Sequence, residues 1–275
     1  MRQRLFLALL LCGALITVGC STTAGGGDVT SPAAEQAMAE PDYTDEVGEN
    51  GLLTPRAVIA RFIEALGGEE TIRSHTSMQL KGKMEMPAMG MSGETTIVQA
   101  APDKMIMNIE MAGFGTMNNG VLGDVAWADS PMTGAMLLDG EMKRQALQQA
   151  DFYASLNYED TYPTMETVEL TEYNGEEAYK LRLVDDAGKE STQWFSAETG
   201  LMIGVKATQV NEMGESEVTQ TITEYKEFGG VMVPTQTTMN MMGMEIKQSV
   251  SEVTWDSVTE DQLQPPDSIK ALLDK

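Results

Sequence analysis

Beyond residue 76 the chain is dominated by apolar side chains at every second position, in short runs separated by glycine-bearing stretches. Met78, Leu80, Met84 and Met86 alternate with Gln79, Lys81, Lys83 and Glu85. Met105, Met107, Ile109 and Met111 repeat the pattern, with Asn108 and Glu110 opposite. Tyr179, Leu181 and Leu183 alternate with Lys180 and Arg182, and Met244, Ile246 and Val250 face away from Glu245, Lys247 and Ser249. Leu201, Ile203, Val205 and Ala207 alternate less cleanly. A period of two with one charged side predicts antiparallel strands, one face against a core and the other in water. Met89 to Gly93, Asn118 to Gly120, Asn174-Gly175, Ala187-Gly188 and Met242-Gly243 are the expected turns. A parallel α/β architecture is not supported.

Two stretches follow a helical period instead. Thr54 is a good N-cap and Pro55 suits the first helical position. Val58, Ile59, Phe62, Ile63 and Leu66 then share one face, and Gly67 closes the helix. A further helical turn is expected through Glu70 to Ser74. In the middle of the chain Asp139 can cap a helix to about Leu156, with Met142, Ala146, Ala150 and Tyr153 along one side. This helix is only weakly apolar. Two readings stand for it: a lid over an opening in the sheet, or ordinary packing. The expected class is mainly β (α+β), in one domain from 51 to 275.

The N-terminus carries a different signal. Arg2 and Arg4 precede an apolar run from Leu5 to Ile16, and Thr17-Val18-Gly19-Cys20 follows. That order fits a secretory signal over residues 1–19. The run is shorter than the roughly 20 residues a spanning helix needs. The stretch resembles a bacterial lipobox with Thr17 in the usual leucine position, which implies that Cys20 is acylated and heads the mature chain. Ser21, where inner-membrane retention would place Asp, implies an outer-membrane anchor facing the periplasm. Residues 20–50 lack large aliphatics and are rich in Gly, Ala, Ser, Thr, Asp and Glu. They are expected as a tether, holding the domain about 30 Å from its lipid as a random coil.

Composition then removes whole classes of chemistry. Of the two cysteines, Cys12 leaves with the signal and Cys20 carries lipid, so thiol catalysis and thiolate metal sites are excluded. His75 is the only histidine, which rules out a multi-histidine zinc site, and it is read as a surface or packing residue. Losing Arg2 and Arg4 leaves 16 of the 18 basic side chains against 42 acidic ones, a balance of −26. Nucleic acid is an improbable partner for such a surface, and membrane attachment must come from acyl chains rather than a basic patch. The pairs Asp185–Asp186 and Glu176–Glu177 sit in turn contexts and are read as solvated charge. No phosphate loop, nucleophile elbow or metalloprotease helix is present, so neither a cofactor nor catalysis is expected.

The opening helix with Leu66-Gly67-Gly68 and Ile72 leads into a long strand. Gln193-Trp194-Phe195 runs to Thr199-Gly200-Leu201. Glu224-Tyr225 precedes Gly229-Gly230-Val231-Met232-Val233-Pro234 and a last hairpin, and Pro265-Pro266 follows. This order resembles the LolA/LolB-like outer-membrane lipoprotein-sorting superfamily over roughly residues 53–270. The resemblance implies a curved antiparallel incomplete β-barrel, with helices over its opening and an apolar cavity for acyl chains of lipids or lipoproteins. A lipidated member looks more like the LolB arrangement, and a partner protein in the envelope is possible.

Methionine, at 22 residues, gives that expected cavity a composition. Thioether chains adapt to irregular apolar guests, so Met84, Met86, Met105, Met107, Ile109, Met111, Met239 and Met241 are candidates for its wall, with Trp127 as a further member. The same methionines can equally fill a solid core. Met84, Met86, Met89 and Met91, and again Met239, Met241, Met242 and Met244, also form thioether clusters suited to Cu(I). Carrier, copper-binding protein and non-binding scaffold are the three functional expectations.

Overall fold

The computed structural model describes residues 45–211 and 214–274. The signal, Cys20 and most of the tether lie outside the described residues. Helix α1 (Pro55–Leu66) forms where its periodicity places it. The Thr54 side chain accepts from Ala57 N, Pro55 takes the first turn, and Ala57, Val58, Ile59, Phe62 and Leu66 are buried. Helix α2 (Glu69–Ser74) follows. The chain is already fastened before α1, within the stretch expected as tether. Asp45 pairs with Arg61 at 2.6 Å, Val47 bridges to Leu53, and Asn50 donates to Thr167 O at 3.3 Å.

Among the described residues, thirteen strands form one antiparallel sheet. The first six are β1 (Ser77–Met86), β2 (Met91–Ala100), β3 (Lys104–Met111), β4 (Gly115–Leu122), β5 (Val125–Ser130) and β6 (Gly134–Leu137). After the middle helices come β7 (Thr164–Tyr173), β8 (Glu176–Val184), β9 (Glu190–Ser196), β10 (Met202–Asn211), β11 (Gly214–Phe228), β12 (Val231–Met241) and β13 (Met244–Trp255). Their spatial order is β6-β5-β4-β3-β2-β1-β13-β12-β11-β10-β9-β8-β7. Every consecutive pair is a neighbour except β6 and β7, which form the two free edges, while β1 and β13 pair at the centre. The sheet is curved and open. Register breaks at Lys81/Gly82, Thr167/Glu169, Met202/Gly204 and around Ile222–Tyr225 supply bulges, which add twist and bend.

Local chemistry explains where the sequence pattern blurs. The break at Met202/Gly204 puts Met202 in register with Phe195 and Val205 with Gln193. The inward set on β10 is therefore Met202, Val205 and Ala207, which corrects the simple alternation from Leu201. Asn118 to Gly120, expected as a turn, lies inside β4, and the reversal falls at 112–114. Glycine is required at 120 because a Cβ there would stand 2.1 Å from the Trp127 ring. Asn174-Gly175 and Met242-Gly243 are tight turns with positive φ at both positions.

The crossing from edge β6 to edge β7 holds α3 (Gly140–Ala150), a short 3₁₀ turn at Ala154–Leu156, α4 (Tyr158–Thr161) and connecting loops. The helix expected to reach Leu156 ends at Ala150, because Asp151 turns the chain: its carboxylate accepts from Tyr153 N at 2.8 Å. Asp139 occupies the N-cap position without a side-chain cap bond. Helix α5 (Asp267–Leu273) covers the far face of β3–β6 through Ile269 and Leu272.

His75 is a packing residue of a demanding kind. Nδ1 lies 2.8 Å from Asp256 Oδ2 and Nε2 lies 3.0 Å from Gly229 O, while the ring stacks on Trp255 at 4.4 Å. Both partners are acceptors, so the imidazolium satisfies them best. Burial pulls the His75 pKa down but is outweighed by the Asp256 hydrogen bond, the Gly229 carbonyl and the Asp256 charge, and the net direction is up from 6.5. Burial of Asp256 raises its carboxyl pKa. Bonds from Thr76 N–H, His75, the Thr76 hydroxyl and Ser77 N–H more than offset this and hold it below 3.8. A raised histidine contributes stability below its unfolded pKa and loses it as pH rises through the folded value; a depressed aspartate loses its contribution as pH falls. The clamp is therefore strongest in mildly acidic solution. Denaturant titrations of the wild type should show stability falling as pH rises above about 6.5. His75→Gln should flatten that slope, and an unchanged slope would refute the assignment.

Candidate functional site

The inner face of the sheet, the one α1 covers, is divided along its length. At one end the hairpin tips converge, and there Met84, Met86, Met107, Ile109, Met111, Met239 and Met241 form one buried cluster with Met117, Val218 and Ile246. Met84 and Ile109 have no exposed surface at all. Seven of the nine expected wall residues are thus brought together. They pack on one another in a buried cluster, and Met107 borders a cavity. Met105 is held apart in a cluster with Val121, Ala126, Leu138, Ala146 and Ala150, beneath α3. Met89 and Met242 stand exposed at their turns.

Trp127 requires a correction. The registers Ile106↔Gly120 and Gly120↔Trp127 put it on the opposite face from Met105 and Met107. There it packs on Ile106 and Ile269, with Nε1 donating to Asn118 Oδ1 at 2.6 Å. An indole of that size finds cover under α5 and has no route to the interior.

The apolar cavity lies at the other end, under α1. Phe62 and Leu66 form its roof, Phe152 and Ser155 one side, and Met78, Met202, Val231, Val233, Pro234 and Trp255 the floor and far wall. Its polar contributors are committed elsewhere. Tyr225 Oη donates to Met202 O at 2.8 Å, Gln99 Nε2 donates to Gln149 O at 3.3 Å, and Asp151 accepts from Tyr153 N and Asn157 Nδ2. Burial pushes the Tyr225 phenol well above its ordinary range, so it stays a neutral donor. The volume is about 90 Å³, smaller than the roughly 150 Å³ that admits a benzene-sized guest. A wider hollow of about 320 Å³ lies between Tyr173, Glu176, Thr223 and Glu224, but it is shallow and half polar. The apolar periodicity puts Phe62, Leu66 and Met78 on core-facing sides without showing that they border a space. The Gly229-to-Pro234 stretch was the available signal, since four of its six residues line the cavity.

Glycine contacts set this geometry. A Cβ on Gly67, whose φ is +123°, would lie 2.2 Å from Gly230 O, and one on Gly229 would lie 2.7 Å from the Trp255 ring. The end of α1 therefore rests directly on the β11–β12 turn, and the indole on the other side of that turn becomes cavity wall.

Helix α3 spans the remaining opening, with a different attachment on each side. Ala146 and Ala150 pack on Val121 and Ala126. Across the gap Arg144 pairs with Asp185 at 2.8 Å, and Gln145 receives Val210 N at 3.2 Å. Arg144 also holds Glu141, and this bond, ahead of burial, sets the depressed pKa of that carboxyl. Asp185 is thus buried and paired, which corrects its reading as solvated turn charge; Asp186 remains exposed. Glu176 likewise accepts from the Ser196 hydroxyl.

No protein-family model and no curated protein matches the sequence. Solved structures do match in shape. A DUF1329 family protein from Desulfovibrio piger superposes with a TM-score of 0.55 at 11% identity, over 76% of this chain and 96% of its own. A LolA superfamily protein from Nitrosomonas europaea gives 0.52 at 13% identity, over 77% and 98%. The chain has the LolA-like fold. At such identities the likeness carries the architecture and leaves the occupant of the concavity to be argued from this chain's own residues.

Arg144→Met should free the polar edge of α3 and leave Asp185 buried without its partner, at a cost of about 2 kcal/mol. Hydrogen exchange across residues 140–150 should accelerate, while Lys143→Met, which disrupts only a 3.9 Å contact to the exposed Asp124, should leave it unchanged. Equal exchange in the two variants would show that α3 is held by its apolar side alone.

Proposed function

We propose that this protein is an envelope lipoprotein that shelters acyl chains of lipids or lipoproteins in the space beneath α1 and the 151–155 segment, acting by binding and release as a carrier or acceptor. The observation that carries the reading is an apolar, glycine-shaped cavity left open under a helical cover in a LolA-like sheet. The lipobox-like Thr17–Cys20 supports an acylated Cys20 and anchoring in the outer membrane on its periplasmic side. The described cavity takes a few carbons, so a full chain requires the cover to move. The two-sided attachment of α3 and the loop structure of 151–157 are suited to that movement. Each methylene sheltered contributes about 0.8 kcal/mol, so several give useful affinity without a specific contact. The reading uses no catalytic step, metal or cofactor. Partner proteins fit as donors or receivers of the guest.

The scaffold alternative has one observation in its favour: the methionines pack into a closed core and the remaining spaces are small. Native mass spectrometry of the full chain from mild detergent separates the two, with co-purified lipid or lipoprotein expected for the carrier. In a fluorescent fatty-acid displacement assay, Met202→Trp, which fills the cavity, should weaken binding about tenfold or more. Met239→Leu, a near volume-conserving change in the methionine cluster, should not. Clean apo protein that takes up no fatty acid would leave the scaffold.

A further inference from the structure

The inner face is apolar at both ends and polar in the middle. A second cavity of about 70 Å³ sits there, separated from the first by Pro234, which borders both. Thr95 on β2 and Gln220 on β11 reach it from strands that flank β1, β13 and β12 on either side. Between them Thr237 donates to Gln248 at 3.4 Å. At its base β1 and β13 approach so closely that residue 82 must be glycine: a Cβ would stand 2.1 Å from Ser249 O.

Two residues that border this chamber each carry a buried polar atom without a partner. Thr95 is 7% exposed and Gln220 is 3% exposed, yet Thr95 Oγ1 and Gln220 Oε1 make no hydrogen bond. Val218 and Ile222 flank Gln220 on the same face, and Ile97 follows Thr95, so an aliphatic residue would continue the pattern at either position. Buried polar atoms are rarely left unmatched. Their chemistry restricts the match: an amide oxygen only accepts, whereas a threonine hydroxyl both donates and accepts. Hydrocarbon offers neither function, and an ester carbonyl cannot donate to Gln220. A hydroxyl both donates and accepts, so it can answer either residue and either orientation of the Gln220 amide.

We propose that this chamber binds the hydroxyl of a hydroxylated acyl chain, whose methylenes continue past Pro234 into the apolar cavity under α1. The inference rests on the acyl-chain reading and sharpens it to a ligand class. Ordered water is the competing occupant.

The test is displacement of a fluorescent fatty acid from the delipidated full chain by hexadecanoic acid and by hexadecanoic acids hydroxylated on the third carbon or at mid-chain. At least one hydroxylated acid should bind about tenfold more tightly than the plain one, the value of one well-made buried hydrogen bond. Thr95→Val combined with Gln220→Leu should abolish the preference while retaining affinity for hexadecanoic acid. Thr95→Val alone, which keeps the side-chain shape, should remove most of it and serves if the double variant does not fold. Equal binding of all the acids by the wild type, or a preference that survives the substitutions, overturns the hydroxyl assignment, gives the chamber to water and leaves the carrier reading standing. Binding of no fatty acid removes both.

Discussion

An antiparallel sheet that bends without closing has an apolar hollow, and the hollow must be covered for the chain to stay in solution. Helix α1 is the principal cover. Its seat depends on the contact between Gly67 and the Gly229–Gly230 turn, where backbone meets backbone with no room for a side chain. Phe62 then reaches Phe195 at 5.3 Å and Tyr158 at 6.2 Å, both edge-on. Those rings connect the helix to the second half of the sheet and to the crossing between its edges. Arg56 adds a 2.6 Å pair with Glu159 on the surface of the same junction, worth little by itself but oriented to hold α4 against α1. The His75 clamp lies on the far side of the Gly229 turn and ties it to both β1 and the end of β13. Turn, helix and clamp are thus a single unit, and the cavity is the space they leave.

The interior is filled by two different means. At the hairpin end, flexible methionines pack into one buried cluster, as unbranched side chains in an irregular space readily do. At the α1 end, aromatic and β-branched residues stand beside Met78, Met202 and Met232, and a gap is left between them. Rigid walls around a void forfeit dispersion contacts, a cost that evolution commonly tolerates where something else is to be held.

The strands were legible because alternation is regular on a strand that carries no extra residue itself; β1, β3 and β8 keep it even though β13 and β7 bulge beside β1 and β8. It failed on β10, where the displaced register at Met202/Gly204 exchanges the faces, and at Asn118 to Gly120, where glycine means an overlying indole rather than a turn. Both are tertiary facts with no local signal. Helix α1 was fully readable from Thr54, Pro55 and Gly67. The middle helix was readable at its start only, since Asp151 ends it through a bond to Tyr153 N that no periodicity encodes. The face of Trp127 follows from strand pairing across β3–β5 and could not be judged from one strand. Asp185 was misread because its partner Arg144 lies 41 positions away, on a helix whose docking the sequence left open.

That docking gives the molecule an order of opening. One side of α3 is fixed by apolar contact with β4 and β5, which water does not compete for. The other is fixed to β10 and the β8–β9 turn by hydrogen bonds and an ion pair, which water can replace piecemeal. If the helix moves, the polar side parts first and the apolar side serves as the hinge. The segment that follows, Asp151 to Ser155, lines the α1 cavity, so displacement of α3 pulls on that wall directly. Chain connectivity alone thus links the seam between β6 and β7 to the space under α1, without any change in the sheet.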